Sequence, residues 1–206
     1  MSDPGTARQR LEADPARRGR RLEYLTLAWN SVEAVVSIMA GVAAGSTALI
    51  GFGMDAVVES ASGGILLWRL QDGGSSTRER RALQLVGVTF LVLASWVGVE
   101  AIRSLVAREA PSASYVGIVV AALSLLVMPW LARQKRMVAR DLGSSALEAD
   151  SRQTDLCAVL SAILLTGLAL NAAFGWWWVD SVAALIMVPV IVTEGVQALR
   201  GERCEC

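Results

Sequence analysis

The sequence predicts an all-α membrane protein of six transmembrane helices, and three observations carry that expectation. Of 206 residues, 54% are hydrophobic and only 18% charged, against about a quarter charged in an ordinary soluble domain. Mean hydropathy is +0.48. Six apolar runs stand out at roughly 23–44, 46–68, 82–106, 114–132, 146–172 and 176–198, each near or above the ~20 residues a helix needs to cross the hydrocarbon core. In lipid only helices and closed barrels satisfy their backbone groups, and these runs are too long and too continuously apolar for barrel strands.

Taken in order, the elements differ mainly in the polar residues they carry. Met1 to Arg21 is polar, contains Pro4 and Pro15 and has no apolar core of a signal peptide. Residues 1–22 therefore read as a disordered cytoplasmic arm. The first span holds Asn30 and Glu33. The second opens at Ser46-Thr47-Ala48-Leu49, straight after Ala44-Gly45, and holds Asp55 and Glu59. The third ends near Glu100, which is placed to pair with Arg103 one turn on. The fourth has no acidic residue. The fifth opens at Ser144-Ser145-Ala146-Leu147 and contains or abuts Glu148, Asp150, Arg152 and Asp155. The sixth begins at Trp176-Trp177-Trp178, which reads as an aromatic belt at the membrane interface. Its Asp180 and Glu194 lie within a turn or two of a helix end, so both read as snorkelling or interfacial. The transport-sized domain is thus 23–198, followed by a short tail, 199–206, with Cys204 and Cys206.

Basic residues give the orientation. Arg8, Arg10, Arg17, Arg18, Arg20 and Arg21 precede the first span. Arg69, Arg78, Arg80 and Arg81 follow the second, Arg133, Lys135, Arg136 and Arg140 follow the fourth, and Arg200 and Arg203 follow the sixth. The other three connections are short or poor in arginine. By the positive-inside rule both termini are cytoplasmic, as an even number of spans requires. The expected location is the cell (inner) membrane, as a multi-pass protein.

Composition also excludes chemistry. Nineteen basic and nineteen acidic residues cancel, and there is no histidine. No Ser–His or Cys–His pair and no histidine metal ligand can exist. Without a basic surface block, nucleic acid is not an expected partner. Three cysteines, Cys157, Cys204 and Cys206, do not make a disulfide framework.

Asp55 and Glu59 are the charges hardest to explain as structure. They stand nine and thirteen residues into their span, ~14–20 Å deep at 1.5 Å per residue, and their i, i+4 spacing stacks both carboxylates on one face. Two adjacent carboxylates in low dielectric are tolerable if a proton is shared or a cation lies between them. Either state suits a cation/proton exchanger. The helix openings at Ser46 and Ser144 suggest an internal repeat 98 residues apart, which sets Asp55 opposite Gln153 and Glu59 opposite Cys157. Three spans separate the copies, so the relation between helices 1–3 and 4–6 is an inverted repeat, which in transporters puts the site near the midplane. Asp150, Gln153, Thr154 and Cys157 then share one helix face. If instead Asp150 to Asp155 form a cytoplasmic loop, Cys157 lies at the mouth of the span.

The run Gly45-Ser46-Thr47-Ala48-Leu49-Ile50-Gly51-Phe52-Gly53-Met54-Asp55, the following Glu59, and Ser145-Ala146-Leu147-Glu148-Ala149-Asp150 resemble the cation diffusion facilitator (cation efflux) family of six-helix divalent-metal exporters. Gly51-Phe52-Gly53 and the Trp68-Arg69 helix end look most like compact members related to vertebrate zinc-efflux membrane proteins. The resemblance implies a transport site using two acids four apart on the second helix, matched by Asp55 and Glu59, and a His or Asp plus an Asp on the fifth. Gln153 and Cys157 stand at those last positions, a departure, and Asp150 or Asp155 is a substitute. The resemblance further implies a divalent metal as transported substrate, zinc first, with no prosthetic group. Protons and the lipid bilayer are the other partners. A homodimer stays open, because the chain as read leaves no room for the family's cytoplasmic C-terminal domain. Two rival classes are a non-transporting scaffold or metal sensor that keeps the fold with a degraded site, and an intramembrane acid protease. The latter is disfavoured because both acids lie on one helix.

Overall fold

The computed structural model describes residues 15–72 and 76–200. Outside it lie the first fourteen residues with Arg8 and Arg10, the tail with Arg203, Cys204 and Cys206, and the side chains of Trp68, Arg69, Arg78, Arg80 and Arg81. The described residues form six helices and no strand. These are α1 (Pro15–Ala44), α2 (Thr47–Asp72), α3 (Ser76–Ala107), α4 (Tyr115–Leu142), α5 (Ser145–Phe174) and α6 (Val179–Arg200). Five of them, α1, α3, α4, α5 and α6, are long and apolar enough to cross a membrane. The sixth, α2, carries both deep carboxylates.

Helix starts follow local chemistry. Ser114 and Ser144 are N-caps whose hydroxyls accept from Gly117 N and Leu147 N, and the Ser46 hydroxyl accepts from Leu49 N at 3.1 Å. Each satisfies a donor that the first turn leaves orphaned. Gly143 and Gly175 close α4 and α5 at φ 60° and 65°, the left-handed conformation that a residue without Cβ adopts freely. Pro15 opens α1, a position where its missing N–H is not needed.

Tight connections make antiparallel hairpins of α1–α2 and α4–α5. Gly41 lies on Leu49 and Ile50, and Gly53 on Ser37 and Ile38. Helices α3 and α6 pack equally closely, backbone to backbone: a Cβ on Gly87 would lie 2.8 Å from both Gly195 O and Leu199 N. Helix α2 sits among α1, α3, α5 and α6, and Leu49, Phe52 and Ala56 are fully buried there. Apolar residues left outside the bundle, such as Val35 and Met39 on α1, Val92 and Val99 on α3 and Val119 and Leu126 on α4, suit a lipid surround. At the end away from Pro15 and Arg200, Phe174, Trp176 and Trp178 stack at 5.0 and 5.5 Å. Asn171 Nδ2 donates there to Pro111 O at 3.1 Å.

Three expectations are corrected. Helix starts at Pro15, so residues 15–22 are not part of a disordered arm; the arginines continue the helix beyond its apolar stretch, as good helix formers do. Lys135 is not a connection residue but is fully buried within α4, which runs ten residues past the apolar run to Leu142. Asp180 and Glu194 are buried, not interfacial, at 2% and 6% exposure. Asp180 turns into the bundle because it finds donors at the start of α2: Ser46 Oγ at 2.5 Å and Ala48 N at 3.3 Å. A carboxylate there also faces the positive end of the α2 dipole. Glu194 lies on the buried stripe of α6 with Met187 and Ile191.

Candidate metal centre

Helix α2 places Asp55 and Glu59 one turn apart on its inward face, at 2% and 3% exposure. Helix α5 brings Cys157 against them, at 1%. One ligand atom from each of these three residues lies within 4.8 Å of the other two. A tetrahedral ion holding oxygen and sulfur at ~2.0–2.3 Å sets its donors about 3.3–3.7 Å apart, so the three need to close by about 1 Å.

The hydrogen bonding around this triangle is uneven. Asp55 Oδ1 and Glu59 Oε2 have no hydrogen-bond partner among the described residues. Glu59 Oε1 accepts from Thr154 Oγ1 at 3.4 Å. Cys157 Sγ donates to Glu33 Oε1 at 3.8 Å. Glu33 is otherwise occupied: its Oε2 accepts from Trp29 Nε1 at 2.8 Å and from Ser124 Oγ of α4. Glu194 of α6 stands within electrostatic reach of Asp55, Glu59 and Cys157, and its Oε1 is also unpartnered among the described residues. A buried polar atom without a partner costs about 1–3 kcal/mol, more when charged. Three such carboxylate oxygens converging on one region mark a place suited to a cation.

The fifth-helix residues separate. Helix α5 already runs through Asp150 to Asp155, so these are not a loop. Asp150, however, is held by Lys135 Nζ at 2.5 Å. Gln153 Oε1 accepts from Ser62 Oγ of α2 at 3.2 Å, and Asp155 pairs with Arg136 at the partly exposed edge. The structure thus brings together Asp55, Glu59 and Cys157 and leaves Asp150, Gln153 and Asp155 with other partners. Sequence reading passed over Glu194 and Glu33 as members of the cluster. The signal for Glu33 was its position inside an apolar run; for Glu194 it was masked by nearness to the helix end.

Residues 82–201 match the cation efflux transmembrane domain. The chain belongs to the cation efflux family. Members of that family transport divalent cations, and the membrane-sized helices make this chain a multi-pass integral membrane protein. The family match covers α5 and α6, with Cys157 and Glu194, and begins after α2. Transmembrane protein 163 of Xenopus laevis is 26% identical over 182 residues, which are 86% of this chain. The chain spans 65% of that relative's length.

Proposed function

We propose that this cation efflux protein exports a divalent metal ion, zinc foremost, from the cytoplasm in exchange for protons, through a site built on Asp55, Glu59 and Cys157. The supporting observation is their convergence from two helices to within 4.8 Å with two carboxylate oxygens unpartnered. A thiolate with carboxylates suits zinc or cadmium; carboxylates alone suit harder ions such as manganese. Glu194, with its unpartnered Oε1, is a candidate for a fourth donor.

The chemistry of exchange follows from the donor set. Metal ligands must be deprotonated, so loading the ion releases protons, and protons arriving from the far side displace it. With no histidine in the chain, carboxyls and the thiol are the groups that carry them. The arginine-flanked ends put both termini in the cytoplasm on this reading, and rocking of helix pairs about α2 exposes the site to each side in turn.

Flux of zinc, cadmium, cobalt, manganese and iron(II) into proteoliposomes tests the proposal, with wild type against Asp55→Asn and Glu59→Gln. Transport at the wild-type rate by both variants overturns the site. Wild-type vesicles no more permeable than empty ones favour the scaffold or sensor instead.

A further inference from the structure

One buried ion network lies outside the metal triangle. Lys135 of α4 is fully enclosed, as is Glu23 of α1. Lys135 Nζ is 2.5 Å from Asp150 Oδ2, 3.3 Å from Glu23 Oε1, 3.4 Å from Glu23 Oε2 and 3.4 Å from Thr154 Oγ1. Four oxygens from two helices, α1 and α5, therefore surround one ammonium carried by α4. Thr154 Oγ1 also reaches Glu59 Oε1 at 3.4 Å, so one hydroxyl separates this network from the metal triangle.

Position and residue type both matter. Glu23 lies near the start of α1, Lys135 near the end of α4 and Asp150 near the start of α5. All three occupy the end of the bundle where α1 begins and α6 ends, here the terminus end. Partly or fully exposed links surround them: Arg18 Nη2 donates to Gln134 Oε1 at 2.7 Å, and Arg136 pairs with Asp155. The chain has nineteen basic residues, and Lys135 is its one lysine. Arginine is a flat fork suited to fixed pairing, whereas a lysine ammonium is a compact point charge on a flexible stem. Two acids face one base, so the network holds one carboxyl more than a simple ion pair needs. A fixed link needs only one carboxyl; a path for cations has a use for the second.

We propose that Lys135 is a tethered cation that closes the transport path at the terminus end, its ammonium occupying on Glu23 and Asp150 the place a passing metal ion takes when α1, α4 and α5 part. Lys135 is a positioning residue here: it acts through the two carboxylates and touches no metal ligand. What the closure guards rests on the reading of Asp55, Glu59 and Cys157 as the transport site, but the closure can be tested without any metal.

Cys157 is the reporter. In full-length protein with Cys204→Ser and Cys206→Ser, its modification by a small water-soluble methanethiosulfonate is timed in metal-free vesicles, with reagent added to one face at a time. The triple variant Glu23→Gln, Lys135→Met, Asp150→Asn removes every charge of the network at nearly constant shape. Labelling from the terminus face should accelerate by about tenfold or more, the signature of a closed state losing its bias. Should the triple variant fail to fold, Asp150→Asn alone decides, because it leaves Lys135 and Glu23 as a one-to-one pair; it should accelerate labelling severalfold. Lys135→Arg, which keeps the charge but not the compact ammonium, should fall between wild type and the triple variant. Unchanged rates in the folded variants, or a gain only from the opposite face, overturn the closure. Faster labelling together with unaltered flux in Asp55→Asn and Glu59→Gln would instead keep the closure and remove the metal site.

Discussion

The metal reading predicts that Asp55→Asn makes the metal-free protein more stable. Asp55 and Glu59 ligand oxygens lie within 4.8 Å of one another. Two full charges at that distance repel by about 3.5 kcal/mol at an effective dielectric constant of about 20. A proton kept by the pair lowers that figure, and an approach closer than 4.8 Å raises it. A chain of this size changes its unfolding midpoint by about 2–4 °C per kcal/mol, so the gain should be positive and, with both groups fully charged, about 7–14 °C. The assay is thermal unfolding in detergent at mildly alkaline pH, followed by tryptophan emission, with chelator or with zinc. Wild type should gain about 2.7 kcal/mol at zinc one hundred times the dissociation constant. Asp55→Asn should lose most of that zinc-dependent gain while starting from a higher midpoint. A variant that is no more stable without metal and is still fully stabilised by zinc would refute both the proximity and the ligand role.

Other expectations are quickly checked. Cys157→Ser should reduce cadmium flux more than manganese flux in the same vesicles, because it exchanges a soft thiolate for a hard hydroxyl. Gln153→Ala should leave flux near wild type, since Gln153 is bonded to Ser62 rather than to the triangle. Gly87→Ala should lower thermal stability by about 1–3 kcal/mol by forcing α3 and α6 apart, its new Cβ meeting backbone at 2.8 Å. Asp180→Ala should remove about 0.5–2 kcal/mol by uncapping the start of α2, read from the same unfolding curves.

Most of the helical frame was legible because lipid exposure leaves a local mark: apolar runs long enough to span, and serines at their starts. Ser46 and Ser144 were visible as helix openings, and each does cap its helix. The Glu100–Arg103 pair, at 3.6 Å, follows from spacing alone. The Asp55/Glu59 face was legible for the same reason, two polar residues one turn apart in an apolar field. What hydropathy could not show is which charges near a helix end turn inward. Lys135 and Glu23 are 112 residues apart, and only the packing of α4 on α1 makes them partners. Glu194 and Asp180 were assigned to the interface by distance from a helix end, yet their direction around the helix decides, and that depends on where α2 lies. Gln153 shares the inward half of α5 with Cys157, but one turn along the axis carries it past the triangle to Ser62.

The placement of α2 joins fold to function. It is the helix that carries Asp55 and Glu59. Two acids at depth cost at least ~2.5–3.5 kcal/mol each on insertion scales. Helix α2 compensates by position: α1, α3, α5 and α6 surround it, and the acid face turns toward α5 rather than toward lipid. Packing strength cannot come from the acids, so it comes from the opposite devices on the same helix, Gly53 against Ile38 and Gly51 against Val97, where any Cβ would clash. Small residues bring neighbouring helices close, and that closeness keeps the carboxylates out of lipid while leaving Asp55 Oδ1 and Glu59 Oε2 unsatisfied. A purely structural bundle would gain by replacing those acids with apolar residues of similar volume. Their presence on a helix packed among four others is what a cation path demands and what stability alone opposes.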